Sequence, residues 1–235
     1  MIQWLDKNSE IDRRNALSGL SDAVEAQIIS NENLTIIFQK LHEMLTNGEE
    51  GSLTISDPAL QNNIVHMCVL FVFTNPASAS NVIQFMPQFQ KMWEEGINNP
   101  SGHLELMNTI GALFLSLAVI LPDFPENILI PVFQRLPIEK DNKMMQMYGN
   151  LGRYLETHFP DVPLCHAILH SLIRLFGMDE GQLLDMEIPE ELFEYMKDAF
   201  KALRTKVPSI MNEIGQEFEE GSRKYQRALG IIQSL

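Results

Sequence analysis

His166 and His170 stand four residues apart, with Cys165 beside the first and His158 not far upstream. On a helix that spacing projects two imidazoles from one face, an arrangement that can grip zinc. A zincin helix also carries a glutamate between its histidines and a third ligand beyond them. Here Ala167, Ile168 and Leu169 fill the interval. No further Cys/His cluster follows, so the pair reads as ordinary helix-surface histidines, and neither a metal nor a cofactor is expected. Nucleophilic chemistry fares no better, because no Gly-x-Ser-x-Gly elbow is present and no strand is available to carry one. Gly149-Asn150-Leu151-Gly152 lacks the Lys-Ser/Thr that a phosphate loop requires. Carboxylates are plentiful, but on an acidic chain they say little about catalysis. The reading is a chain that is not an enzyme.

The carboxylates are more informative as a surface. Asp179, Glu180, Asp185, Glu187, Glu190, Glu191 and Glu194 follow one another with no Lys or Arg as far as Met196, and Glu217, Glu219 and Glu220 add to the same field. This is either a solvated loop and helix face or a docking site where carboxylates hold Arg or Lys and speed encounter. Met144, Met145, Met147, Met86 and Met92 read as core filling before adaptable contacts. Trp4 and Trp93 read as buried packing before exposed stacking sites.

The elements that must position these residues are helices. Strand signals are nearly absent, and Asn47-Gly48 runs into Glu49-Glu50-Gly51-Ser52, which reads as a loop. Helical periodicity predicts a first helix over 11–30, with Ala16, Leu17, Leu20, Val24 and Ile28 on one face, and a second over 34–45. Asp57-Pro58 then opens a third helix, the carboxylate capping it and the proline taking the first turn. Further helices are expected over 79–95, 101–121, 125–136, 143–159, 163–176, 189–206, 208–220 and 222–233. Pro87 and Pro131 fall inside two of them and should bend, without breaking, each helix.

The helices recur. Gly111/Gly149, Leu113/Leu151, Leu117/Leu155, Pro122/Pro160, Asp123/Asp161 and Pro125/Pro163 are each 38 residues apart. A period of that size with two helices per unit is the signature of a helical solenoid. The expected fold is therefore all-α: an armadillo-like HEAT-repeat superhelix over 1–235, with pairs at 11–46, 57–96, 101–136, 143–177 and 189–235. Gly111 and Gly149 are candidates for close approach between neighbouring repeats.

Composition narrows the partners. A formal net charge of −14 repels nucleic-acid phosphates and anionic lipid and attracts basic polypeptide. Cys68 and Cys165, both in apolar stretches, read as buried free thiols of a reducing compartment. The N-terminus lacks a signal-peptide pattern, and the apolar runs 67–73 and 112–121 fall short of the about 20 residues that span a bilayer. A soluble protein without nucleic-acid or membrane contact is expected.

Asn108-Thr109-Ile110-Gly111-Ala112-Leu113, the Ile130-Pro131 helix and the turn Leu136-Pro137-Ile138-Glu139-Lys140-Asp141 resemble the C-terminal HEAT repeats of importin-β-type nuclear transport receptors. Thr109 departs from the alanine of that pattern, and the likeness is clearest over 108–176. The resemblance implies a receptor that carries basic protein cargo through nuclear pores and works in both cytoplasm and nucleus. It also implies nucleoporins and the GTPase Ran as partners, Ran mainly through N-terminal repeats not seen in this sequence. The competing expectation is a static HEAT or armadillo scaffold subunit of a phosphatase or trafficking complex.

Overall fold

The computed structural model describes residues 1–6, 9–46, 55–138 and 143–235. Among them every regular element is a helix and no strand occurs, so the chain is all-α. Two compact units are present, Met1–Leu121 and Pro122–Leu235. Their boundary falls between the two helices expected over 101–136.

In the first unit a 3₁₀ turn (Ile2–Asp6) precedes α1 (Glu10–Glu25), α2 (Asn31–Thr46) and α3 (Pro58–Thr74). Next come the single turn α4 (Ala79–Val82), a 3₁₀ turn (Ile83–Phe85), α5 (Met86–Asn98) and α6 (Pro100–Ile120). The Asp57 carboxylate accepts from the Ala59 amide at 3.0 Å, capping α3 as its sequence predicts. Helix α3 is apolar nearly all round, with Leu60, Ile64, Val65, Met67, Cys68 and Val72 buried, and must be covered on more than one side. Helix α1 covers one flank and α6 another, while α5 packs on α6. Two amides sew the three together: Asn63 donates to the Arg14 carbonyl at 3.1 Å and Asn62 to Glu105 at 3.0 Å.

The second unit opens with a 3₁₀ turn (Glu126–Ile128) and runs through α7 (Ile130–Arg135), α8 (Lys143–Thr157), α9 (Val162–Phe176), α10 (Glu180–Asp185) and α11 (Glu190–Leu203). A 3₁₀ turn (Pro208–Asn212), the single turn α12 (Ile214–Glu217) and α13 (Arg223–Ser234) close it. Helix α9 is the hub, with α7, α11, α12 and α13 all packed on it, while α8 packs on α11. It starts where Asp161 accepts from the Leu164 amide at 2.9 Å and stops at Gly177. Its Leu164, Ile168, Leu169, Leu172, Ile173 and Phe176 are fully buried, each worth about 1.5–3 kcal/mol of transfer from water. Phe176 meets the rings of Phe193 and Phe200 edge-on, both at 5.6 Å.

Several expectations are corrected. Pro87 and Pro131 do not merely bend their helices. Each sits in the first turn of a new α-helix that follows a 3₁₀ stretch, because the missing N–H is tolerated there and nowhere deeper. The first helix ends at Glu25, five residues early, where Gln27 takes a left-handed φ of 55°. Ile28 thus leaves the apolar stripe and is 77% exposed. The stretch expected as a helix over 208–220 is a 3₁₀ turn and one α-turn, and a short helix, α10, occupies the connector ahead of α11. All but Leu121 of the apolar run 112–121 belongs to the 21-residue α6, whose 103–120 window is long and apolar enough to cross a membrane. Within its unit 67% of that window is buried, as befits a core helix. The loop expected at 47–52 and residues 139–141 of the Leu-Pro-Ile-Glu-Lys-Asp turn lie outside the described residues.

Several hydrogen bonds between helices span 38 to 49 residues, beside shorter ones from Glu126 to Tyr154 and Asp161 at 28 and 35. In the second unit the Cys165 thiol donates to the Leu203 carbonyl 38 residues on, and the Arg174 guanidinium to the Leu136 carbonyl 38 residues back. The Tyr195 hydroxyl reaches the Gly152 carbonyl across 43 residues and the Lys206 ammonium reaches the Pro160 carbonyl across 46. In the first unit the Asn62 and Asn63 bonds span 43 and 49 residues.

Candidate functional site

All seven acidic residues singled out for docking are exposed. Four of them have helix-starting roles. The Asp179 carboxylate accepts from the Gln182 amide at 2.9 Å, and the Gln182 side chain accepts from the Asp179 amide at 3.1 Å, a reciprocal capping box at the start of α10. Glu180 lies in the first turn of α10, and Glu190 and Glu191 in the first turn of α11, where the positive end of the helix dipole favours carboxylates. Glu187 holds the turn between the helices at φ 54°, and Glu194 pairs with Lys197 one turn on. Asp185 ends α10 beside Leu184, an apolar side chain 76% exposed amid the acids. The segment is thus an acidic rim with an apolar tip.

The histidines give a different result from the one expected. His170 is buried, not a surface residue. Its Nδ1 lies 2.6 Å from Glu217 Oε1, and its Nε2 lies 3.1 Å from Glu213 Oε2. His166, half-exposed and one turn earlier on α9, brings its Nε2 to 2.8 Å from the same Glu213 oxygen. Arg174, a further turn along, donates to Glu217 Oε2 at 2.9 Å and to the carbonyls of Leu136 and Phe133 at 2.7 Å each. A column of three side chains at i, i+4 and i+8 on α9 therefore meets a pair of carboxylates at i, i+4, Glu213 just before α12 and Glu217 at its last residue. Glu217 is spent inside this column and does not extend the free acidic field.

The electrostatics follow from the geometry. Hydrogen bonds from Ser209, His170 and His166 hold the Glu213 carboxyl down at about 2. Burial pushes Glu217 up, but bonds from His170 and Arg174 outweigh it and leave it below the usual carboxylate range. The Glu217 hydrogen bond raises His170, against the opposing effect of burial. Both ring nitrogens of His170 face carboxylates, so without another cation only the doubly protonated ring donates to both.

The remaining candidates separate cleanly. His158 stacks on Tyr154 with centroids 4.7 Å apart, and the Cys165 thiol turns to the Leu203 carbonyl, so neither joins the histidine pair. Burial pushes the Cys165 thiol up to about 11 and raises that of Cys68 further. Met144, Met147, Met86 and Met92 fill the core as expected, whereas Met145 is 44% exposed. Trp93 is buried, but Trp4, expected to be packed, is 52% exposed. Gly149 makes no close approach, since nothing lies within 4 Å of where its Cβ would be. A close approach on the same helix is at Gly152, where a Cβ would stand 3.1 Å from the Tyr195 ring, and Gly177 is closer still to the Phe218 ring.

The histidine–carboxylate column had no local sign in the sequence. Glu213 and Glu217 stand 43 to 47 residues from the side chains they meet. The available signal was the matching i, i+4 spacing of both sets at roughly one repeat length. Comparison with family models matched none, and neither the curated proteins nor the solved structures gave a match to the chain.

Proposed function

We propose that this chain is a protein-binding module of HEAT-type helical repeats, acting as the cargo-binding part of an importin-β-like nuclear transport receptor. The observation that carries the repeat reading is the recurrence of ties at separations of 38 to 49 residues in both units. That is the length of one helical repeat. Repeat arrays of this kind serve as extended binding surfaces. The transport setting rests on the resemblance of 108–176 to that family's C-terminal repeats. The surface that takes the partner is the exposed rim around α10 and the start of α11.

Magnitudes set the partner's chemistry. Exposed charge pairs contribute only about 0.2–1 kcal/mol each, so even several fall short of the about 8 kcal/mol of a micromolar complex. Apolar contact must supply the rest, and Leu184 with the partly exposed Tyr195 provides it. The fitting partner is a basic segment carrying an apolar side chain.

The test is binding of the full chain to arginine- and lysine-rich nuclear and ribosomal proteins, by pull-down and fluorescence anisotropy at several salt concentrations. Salt-sensitive binding that the triple variant Glu190→Gln/Glu191→Gln/Glu194→Gln weakens severalfold is expected. Recovery of no basic protein at low salt defeats the proposal. A single stoichiometric partner held independently of salt replaces it with a static scaffold.

A further inference from the structure

We infer that His166, His170 and Glu213 form a binding site for a divalent transition metal ion, zinc above all. One ligand atom from each lies within 4.8 Å of the others. Two imidazole nitrogens approach a single carboxylate oxygen at 2.8 and 3.1 Å. In a tetrahedral site with bonds of about 2.0–2.1 Å, ligand atoms stand about 3.3 Å apart. The two nitrogen–oxygen edges lie within about half an ångström of that spacing, and with all three ligand atoms inside 4.8 Å of one another the side chains have only to readjust to seat the ion.

The surroundings supply what a zinc ligand needs. The nitrogen of His170 that faces away from the cluster is engaged by Glu217 at 2.6 Å, and Arg174 fixes Glu217 at 2.9 Å. This is the carboxylate–histidine relay that orients metal-binding imidazoles and raises their basicity. With Nδ1–H donated to Glu217, an ion that displaces the Nε2 proton of His170 meets a lone pair already aimed at Glu213. Two imidazoles with one carboxylate suit zinc, cobalt or nickel and suit magnesium or calcium poorly. His166 is half-exposed, so water can reach the cluster to complete the coordination.

The site departs from the sequence expectation of no metal because its third ligand comes from another repeat. Glu213 precedes α12, 47 residues beyond His166 and 43 beyond His170. A bound ion would pin the 3₁₀ turn and α12, a region of short elements, against α9. Because the folded chain alone assembles these ligands, binding raises the stability of the second unit by mass action.

The experiment uses the full chain, stripped with chelator and dialysed, and titrated calorimetrically with zinc chloride and spectroscopically with cobalt(II). One equivalent of zinc should bind, the thermal midpoint should rise, and cobalt should develop the intense visible bands of a four-coordinate ion. His166→Gln, at a half-exposed position, should weaken zinc binding at least tenfold. Glu217→Gln, which leaves all three ligands in place, should weaken it about 10–100-fold. The inference is overturned if the unmodified chain binds no zinc, if cobalt keeps the weak spectrum of its aqua ion, or if His166→Gln binds zinc equally well. Failure would leave the proposed function intact, since the acidic rim does not include these residues.

Discussion

Replacing Arg174 by alanine tests whether α9 is held to its neighbours by polar ties as well as by packing. The guanidinium makes three charge-assisted bonds: two at 2.7 Å to carbonyls at the C-terminal end of α7, and one at 2.9 Å to Glu217. Bonds to charged groups contribute about 1.5–3 kcal/mol each when fully buried. This side chain is 23% exposed, so water takes up part of the loss. The deletion also strands two carbonyls and one carboxylate, and breaking a buried pair costs about 3–5 kcal/mol. We expect Arg174→Ala to destabilise the second unit by about 3 kcal/mol. Arg174→Lys should cost about half of that, because an ammonium cannot span three acceptors in one plane. All four tyrosines lie in the second unit and both tryptophans in the first. Tyrosine second-derivative absorbance in a urea titration therefore reports the relevant unit alone. The two signals keep a two-unit chain from being forced into one transition. A tyrosine-reported change below about 0.5 kcal/mol, the range of an ordinary surface substitution, refutes the reasoning.

Three further outcomes are expected. Tyr148→Phe leaves the buried Ser171 hydroxyl without its 3.0 Å partner and should cost about 1–2 kcal/mol. Adding Ser171→Ala should cost less than the two single changes summed, as a double-mutant cycle by urea unfolding would measure. Gly149→Ala should stabilise by about 0.5–1 kcal/mol, since a methyl group there meets open space in a helix interior. Gly152→Ala should give no gain or a loss in the same assay, because Tyr195 must yield. In the folded chain at pH 8 both thiols should resist alkylation and become reactive only in denaturant, given burial and a Cys165 thiol held at about 11. Rapid labelling of the native chain, followed by mass spectrometry, would contradict that.

Helix existence was legible in the sequence where local chemistry decides it. Asp57-Pro58 marked the start of α3, and the helix expected over 163–176 matches α9 to within a residue, because capping and proline placement act within a few residues. Interruptions were less legible. Whether Pro87 and Pro131 bend or divide a helix depends on how the chain before them packs, and that is a tertiary question. Ile28 matched the apolar stripe of α1 in periodicity, yet the left-handed turn at Gln27 removed it. The acidic rim could be read because runs of like charge show in order along the chain. The column of His166, His170 and Arg174 against Glu213 and Glu217 could not be read residue by residue. Its two halves stand 43 to 47 residues apart in sequence, and only tertiary packing makes them neighbours.

The modest span of the ties between helices bears on how the chain reaches its fold. The ties described above close segments of at most 49 residues, so none of them waits on a search across the whole polypeptide. Closure entropy grows only logarithmically with length, and low relative contact order accompanies fast folding. On the repeat reading proposed above, a formed hairpin offers its unsatisfied flank as the template on which the next condenses. Refolding of each unit should then spread outward from its most apolar member, α3 in one and α9 in the other. Neighbours would be recruited in turn, much as a zipper engages tooth by tooth.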